Sequence, residues 1–275
     1  MEKAFDQYEV WFVTGAQLLY GGDAVVAVDA HSNEMVNGLN ESGKLPVKVV
    51  YKGTANSSKE VEAVFKAANN DEKCIGVITW MHTFSPSKMW IAGFNALEKP
   101  YLHVNTQFNR DIPWDDIDMD FMNLNQSAHG DREHGYIAAR MRLKQKVVAG
   151  YWKDETFQNK MGVWMRAAVG AAESRKLRVL RISDNMRNVA VTDGDKIEAQ
   201  IKLGWQVDHY GVGDIIKLVD AVTEDEIDAQ MAEYNKYYEM DTDNIDSVRY
   251  QAREEVAIKK FLDKEGFGAF HTNFE

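Results

Sequence analysis

The chain has 275 residues, 45 % of them hydrophobic and 27 % charged, which is enough to build more than one packed core and excludes a disordered polymer. Its net charge of −11 argues against a nucleic-acid partner, because neutralising phosphates needs a surplus of Lys and Arg. No apolar run reaches the length of a membrane span, so no membrane partner is expected and a cytoplasmic, soluble protein is.

Along the chain, short β-rich runs alternate with helical patterns. Met1 to Asp6 lacks the apolar run of a signal peptide. Glu9 to Gly15 is a largely apolar run ending in Gly, as expected of a strand buried on both faces. A loop from Ala16 to Gly22 leads into a helix over about Asp23–Asn40, with Val25, Val28, Met35, Val36 and Leu39 on its apolar side. Pro46–Tyr51 is the second strand, and Ser57 and Ser58 open the next helix by capping its free N–H groups. Cys74–Thr79 is the third strand; Cys74 reads as a small core residue, and a single thiol can form no internal disulfide.

Pro86, with Ser85 as cap, marks the start of a helix reaching about Leu97. Lys99–Val104 is a fourth strand, Asp118–Lys144 one long helix, and Lys146–Gly150 a fifth strand. After a helix over Glu155–Ser174 a second unit begins: strand Leu177–Ile182, helix Thr192–Leu203, strand Trp205–Asp208, a helix after Gly211, and a charged helical stretch from Thr223 to Lys264. The βαβα alternation implies an α/β fold with a doubly wound parallel sheet and right-handed crossovers. The domain border falls near residue 172, giving units over 1–172 and 173–275, the second incomplete.

The loop after the first strand holds one glycine, Gly15, where a dinucleotide turn wants three, and Leu18, Leu19 and Tyr20 fill the tight approach, so a nucleotide site is not expected. Gln17 and Tyr20 remain as polar groups at the carboxyl end of a central strand, where open α/β sheets place their ligands. His129 and His134, five residues apart, sit about 140° apart on a helix and make no shared metal face. Gln126, His129 and Glu133 do share one, which reads either as an exposed polar stripe or as a functional surface. His82 and His103 lie near the sheet's carboxyl edge and fit either a site or hydrogen-bonded packing.

Several of these stretches resemble one family. Val10–Gln17, Gly76–Pro86, Thr106–Trp114, Asp118–Glu133 and Asp184–Lys196 are similar to L-arabinose isomerases, in order and with matching spacing along the whole chain. The resemblance implies a Rossmann-like (flavodoxin-like) first domain, a central α/β domain and a C-terminal β-rich domain. It also implies interconversion of L-arabinose and L-ribulose, with D-galactose to D-tagatose in many members, through an enediol assisted by a divalent metal, usually Mn²⁺. The family's four metal ligands and two proton-transfer glutamates lie beyond the last segment seen here, Thr272–Glu275, so neither a catalytic residue nor a metal ligand is expected within this chain, and the chain alone is expected to be inactive. The resemblance further implies that Gln17, Leu18, Tyr20 and Met186 line the sugar pocket. Gln126 and His129 would reach the pocket of an adjacent subunit in a trimer or hexamer. A non-catalytic sugar-binding module or an assembly module is the alternative expectation. The final strand, Phe267–Phe270, is expected to lack a neighbour.

Overall fold

The structure, a computed structural model, describes residues 4–84 and 87–273, apart from the Tyr20 side chain. Two compact units emerge, Met1–Ala171 and Ala172–Glu275.

The first unit carries five parallel strands: β1 (Glu9–Gly15), β2 (Lys48–Ala55), β3 (Cys74–Met81), β4 (Tyr101–Asn105) and β5 (Gln145–Ala149). Their order, β2-β1-β3-β4-β5, is the flavodoxin-like doubly wound order, in which the strand order reverses between β1 and β3. β1 and β3 read as nearly unbroken apolar runs because helices cover both faces of the sheet; all eight residues of β3 are buried. The covering helices are α1 (Gly22–Glu41), α2 (Ser58–Asn70), α3 (Ile91–Ala96), α4 (Met119–Leu124), α5 (Ser127–Arg140) and α6 (Glu155–Lys176). Val28, Met35, Val36 and Leu39 of α1 are buried as the apolar stripe predicts, whereas Val25 is half-buried.

Two indoles set how closely these layers approach. A Cβ on Gly76 would stand 2.8 Å from the Trp164 ring and 2.9 Å from the Pro100 carbonyl oxygen, and one on Gly38 would stand 2.7 Å from the Trp152 ring. Only a residue with no side chain fits beneath either ring.

The second unit holds β6 (Arg178–Ile182), β7 (Gln206–Tyr210) and β8 (Ala269–Thr272) in the parallel order β7-β6-β8. Its helices are α7 (Lys196–Leu203), α8 (Val212–Asp220), α9 (Glu224–Tyr237) and α10 (Ile245–Glu265). Leu180, Ile215, Val219, Ile227, Phe261 and Phe267 form its core. Thr223 and Glu226 close a reciprocal capping box at the start of α9.

The structure corrects several expected elements. The helix expected over Asp118–Lys144 is broken: Asn125 leaves helical geometry (φ −105°, ψ 55°), and its side-chain amide donates back to the Phe121 carbonyl at 3.0 Å. That helix also ends at Arg140, before a turn in which Arg142 adopts φ 54°. The expected final strand does have a neighbour, since β8 pairs with β6 from Val179↔Ala269 to Ile182↔Thr272. The helix expected from Thr192 starts at Lys196 because Asp195 supplies the cap, accepting from the Glu198 N–H at 2.9 Å. The expected Ser85–Pro86 helix start lies outside the described residues; from Ser87 to Trp90 the chain is a 3₁₀ turn leading into α3.

Candidate functional site

The carboxyl ends of β1 and β3 flank the point where strand order reverses, which is where doubly wound sheets place ligands. Gln17 follows β1 and begins a short 3₁₀ turn, Leu18–Tyr20. Its amide nitrogen Nε2 is buried without a hydrogen-bond partner among the described residues, although the side chain as a whole is half-buried. An unpaired buried donor costs free energy unless something accepts from it. Leu18 beside it is exposed. The expectation for Tyr20 rests on a side chain outside the description. Met186 belongs to the second unit, on the loop after β6, where its N–H donates to Thr192 Oγ1 at 3.1 Å. Arg181, buried at the end of β6, donates to Asn185, which in turn donates to Asp193 at 2.5 Å, so that loop is tied down on both sides of Met186.

β3 ends on a stack of rings. Trp80 lies parallel to His82 (centroids 4.4 Å apart), and His31 from α1 lies parallel to Phe108 at 3.8 Å. The two imidazoles meet edge to edge, His31 Nδ1 to His82 Nε2 at 2.7 Å. Burial pushes the His82 imidazole down to about 3, so the ring is neutral at any ordinary pH. Its Nδ1 is buried without a hydrogen-bond partner among the described residues.

β4 and the inner face of α5 share a buried chain of polar groups. Ser87 Oγ lies 3.3 Å from His134 Nδ1, and His134 Nε2 lies 2.6 Å from the Tyr101 hydroxyl. That hydroxyl is 2.6 Å from Thr79 Oγ1, which is 3.0 Å from His103 Nδ1. His103 Nε2 is 2.7 Å from Asp131 Oδ1. One direction of donation runs through the whole chain: Ser87 to His134, His134 to Tyr101, Tyr101 to Thr79, Thr79 to His103, and His103 to Asp131 Oδ1. Burial holds His134 well below the usual imidazole range, in keeping with its Nδ1 accepting from Ser87, and it raises the Asp131 carboxyl. Sequence reasoning missed this network, because its members come from four separate segments.

The outer face of α5 borders a cavity of about 550 Å³, lined among others by Gln107, Ile112, Phe121, Asn125, Gln126, His129 and Arg132. His129 is exposed and stacks on Phe84, with ring centroids 4.6 Å apart. The side-chain carbonyl oxygens of Gln107 and Asn125, two of the residues lining the cavity, are buried without partners among the described residues. Glu133 departs from the face expected for it. Its Oε1 turns inward to accept the Ser87 N–H at 3.2 Å, and Arg132 takes its place on the cavity wall. The polar face is therefore Gln126, His129 and Arg132.

Two family profiles cover the chain end to end: one described as L-arabinose isomerase N-terminal domain matches residues 4–176, and one described as L-arabinose isomerase central domain matches residues 178–275. The chain belongs to the L-arabinose isomerase family. It is 62 % identical over its full length to an L-arabinose isomerase of Phocaeicola vulgatus and 60 % identical to one of Bacteroides thetaiotaomicron, spanning 55 % of each. An L-arabinose isomerase of Geobacillus stearothermophilus is 51 % identical over 98 % of the chain. The chain thus spans about half the length of the curated relatives it matches.

The residues described do not fit the divalent metal that the family resemblance implies. Among them no three His, Cys, Asp or Glu side chains converge as a metal would require. The buried imidazoles are engaged with one another or with Tyr, Thr, Ser and Asp. No helix among the described residues is long and apolar enough to cross a membrane.

Proposed function

We propose that this chain is part of an aldose–ketose isomerase that interconverts L-arabinose and L-ribulose, and that it contributes binding and positioning groups, not the proton-transfer groups. The observation that carries the reading is the match to both isomerase domain profiles over nearly every residue. The geometry supports it: the α5 cavity is lined by amide, imidazole and guanidinium side chains that suit a ligand dense in hydroxyl groups, and Gln17 stands just after a central strand. In this reading Gln17, Leu18, Tyr20 and Met186 line the sugar pocket. Gln126 and His129 complete the pocket of an adjacent subunit in a trimer or hexamer. Mn²⁺, the cofactor the resemblance implies, would be held by groups other than those described. A cytoplasmic location belongs to the same proposal and rests on the family's metabolic role.

Mixing two inactive variants of the complete enzyme tests the assignment. One carries His129→Ala; the other is altered at a metal-binding glutamate outside this chain. Mixed oligomers would bring an intact His129 from one subunit to an intact metal centre on the other, and activity should partly return. No recovery, with mixed oligomers verified by mass, would return His129 to a surface role.

A further inference from the structure

The inner face of α5 buries no aliphatic side chain larger than alanine; its one large ring is His134, packed against Trp90, Phe94 and Tyr101, and Ile137 is only half-buried. The buried residues of this face are Ser127, Gly130, Asp131, His134 and Ala138. Helices usually dock through a stripe of Leu, Ile, Val or Phe whose knobs fix rotation and sliding. Apart from the His134 ring, the small residues of this face give a smooth surface that resists neither. What keys α5 to the sheet is directional: Asp131 to His103 at 2.7 Å and His134 to Tyr101 at 2.6 Å, both partners standing on β4. Asp131 and His103 are 5 % and 3 % exposed, and Asp131 Oδ2 has no partner among the described residues. A buried ionisable pair gives little net stability compared with apolar residues of similar size, so its contribution is better sought in specifying one arrangement.

We propose that the His103–Asp131 pair is a positioning device that fixes the rotation and axial register of α5 over β4, and so presents Gln126 and His129 to the cavity side. Asp131 follows His129 by two residues, about 200° around the helix, so a rotation that moves the carboxylate off His103 carries the His129 ring off Phe84. Asp131 and His103 are positioning residues; neither reaches the cavity wall. The inference rests on the proposed role of the outer α5 face in sugar binding.

The test compares Asp131→Ala, Asp131→Asn and the double variant His103→Leu/Asp131→Leu in the complete enzyme. Asparagine keeps an acceptor for His103, alanine removes it, and the leucine pair restores burial without direction. Hydrogen exchange read by mass spectrometry, without sugar, should quicken at least fivefold over residues 126–135 in the alanine and leucine variants and stay near wild type in the asparagine variant. The KM for L-arabinose should rise at least fivefold in the alanine and leucine variants, beyond what any fall in melting temperature accounts for, with most of the effect reversed by asparagine. Wild-type exchange in Asp131→Ala would overturn the positioning role, as would a KM that follows melting temperature alone across the three variants. If the leucine pair does not fold, the contrast between alanine and asparagine decides. His129→Ala is read alongside: if its KM is unchanged while exchange quickens in Asp131→Ala, the positioning stands and the sugar-site reading falls.

Discussion

His31 and His82 share a single 2.7 Å contact between ring nitrogens, with Phe108 stacked on one ring and Trp80 on the other. Burial lowers both imidazoles, and for His82 the value reaches about 3 from an ordinary 6.5. The unfolded chain protonates this ring below about 6.5, whereas the folded chain does not until about 3. Stability is therefore complete above pH 6.5 and is lost as pH falls through that window, at about 1.4 kcal/mol per unit for one such group. Asp131, with its carboxyl raised by burial, works in the opposite sense at lower pH. Comparing wild type with His82→Phe cancels that contribution. Between pH 6.5 and 5, urea titrations of the variant should lose about 1–2 kcal/mol less stability than wild type. Equal losses would show that His82 is not the group responsible.

Gly76 faces Trp164 and the Pro100 carbonyl with less room than a methyl group needs. Gly76→Ala should destabilise the protein by about 1–3 kcal/mol through overpacking, measured as a lower urea midpoint at an unchanged slope. A neutral result would mean that the indole moves aside freely.

Gln17 has a buried amide nitrogen with no partner among the described residues, so its removal costs the fold little. In the complete enzyme Gln17→Ala should lower kcat/KM by roughly 1–3 kcal/mol while the melting temperature holds. Unaltered kinetics with L-arabinose would remove Gln17 from the sugar site.

Thr223 and Glu226 cap α9 reciprocally, with the Glu226 carboxylate accepting the Thr223 N–H at 3.0 Å. Thr223→Ala should cost about 1 kcal/mol, read as an earlier thermal transition. A transition at the wild-type temperature would show the cap to be dispensable.

The two units differ in how much of them could be read ahead. The central strands of the first sheet were legible because burial on both faces leaves a long apolar run, as in Glu9–Gly15 and Cys74–Met81. The loop bearing Gln17 was legible for a topological reason: it follows a central strand. The break at Asn125 was not, since the helical pattern continues across it while the backbone turns out of helical geometry there and the side chain bonds back to Phe121. The partner of β8 was hidden by the 90 residues separating Val179 from Ala269, a pairing set by the packed unit and not by local pattern. Spacing put Glu133 on the face of His129, but the backbone N–H of Ser87 draws the carboxylate inward. The Ser87–Asp131 relay could not be found from spacing, because its groups become neighbours only when β3, β4 and α5 assemble.

Gly76 and Gly38 also constrain the order in which this sequence can change over generations. The indole of Trp164 or Trp152 occupies the space that a methyl group on the facing glycine would need. A lineage that gains alanine first meets a clash, while one that trades the indole for a smaller ring first opens a void that the alanine then fills. The second route is the passable one, so each glycine and its tryptophan should be exchanged together in descendants, with the aromatic position moving before its partner.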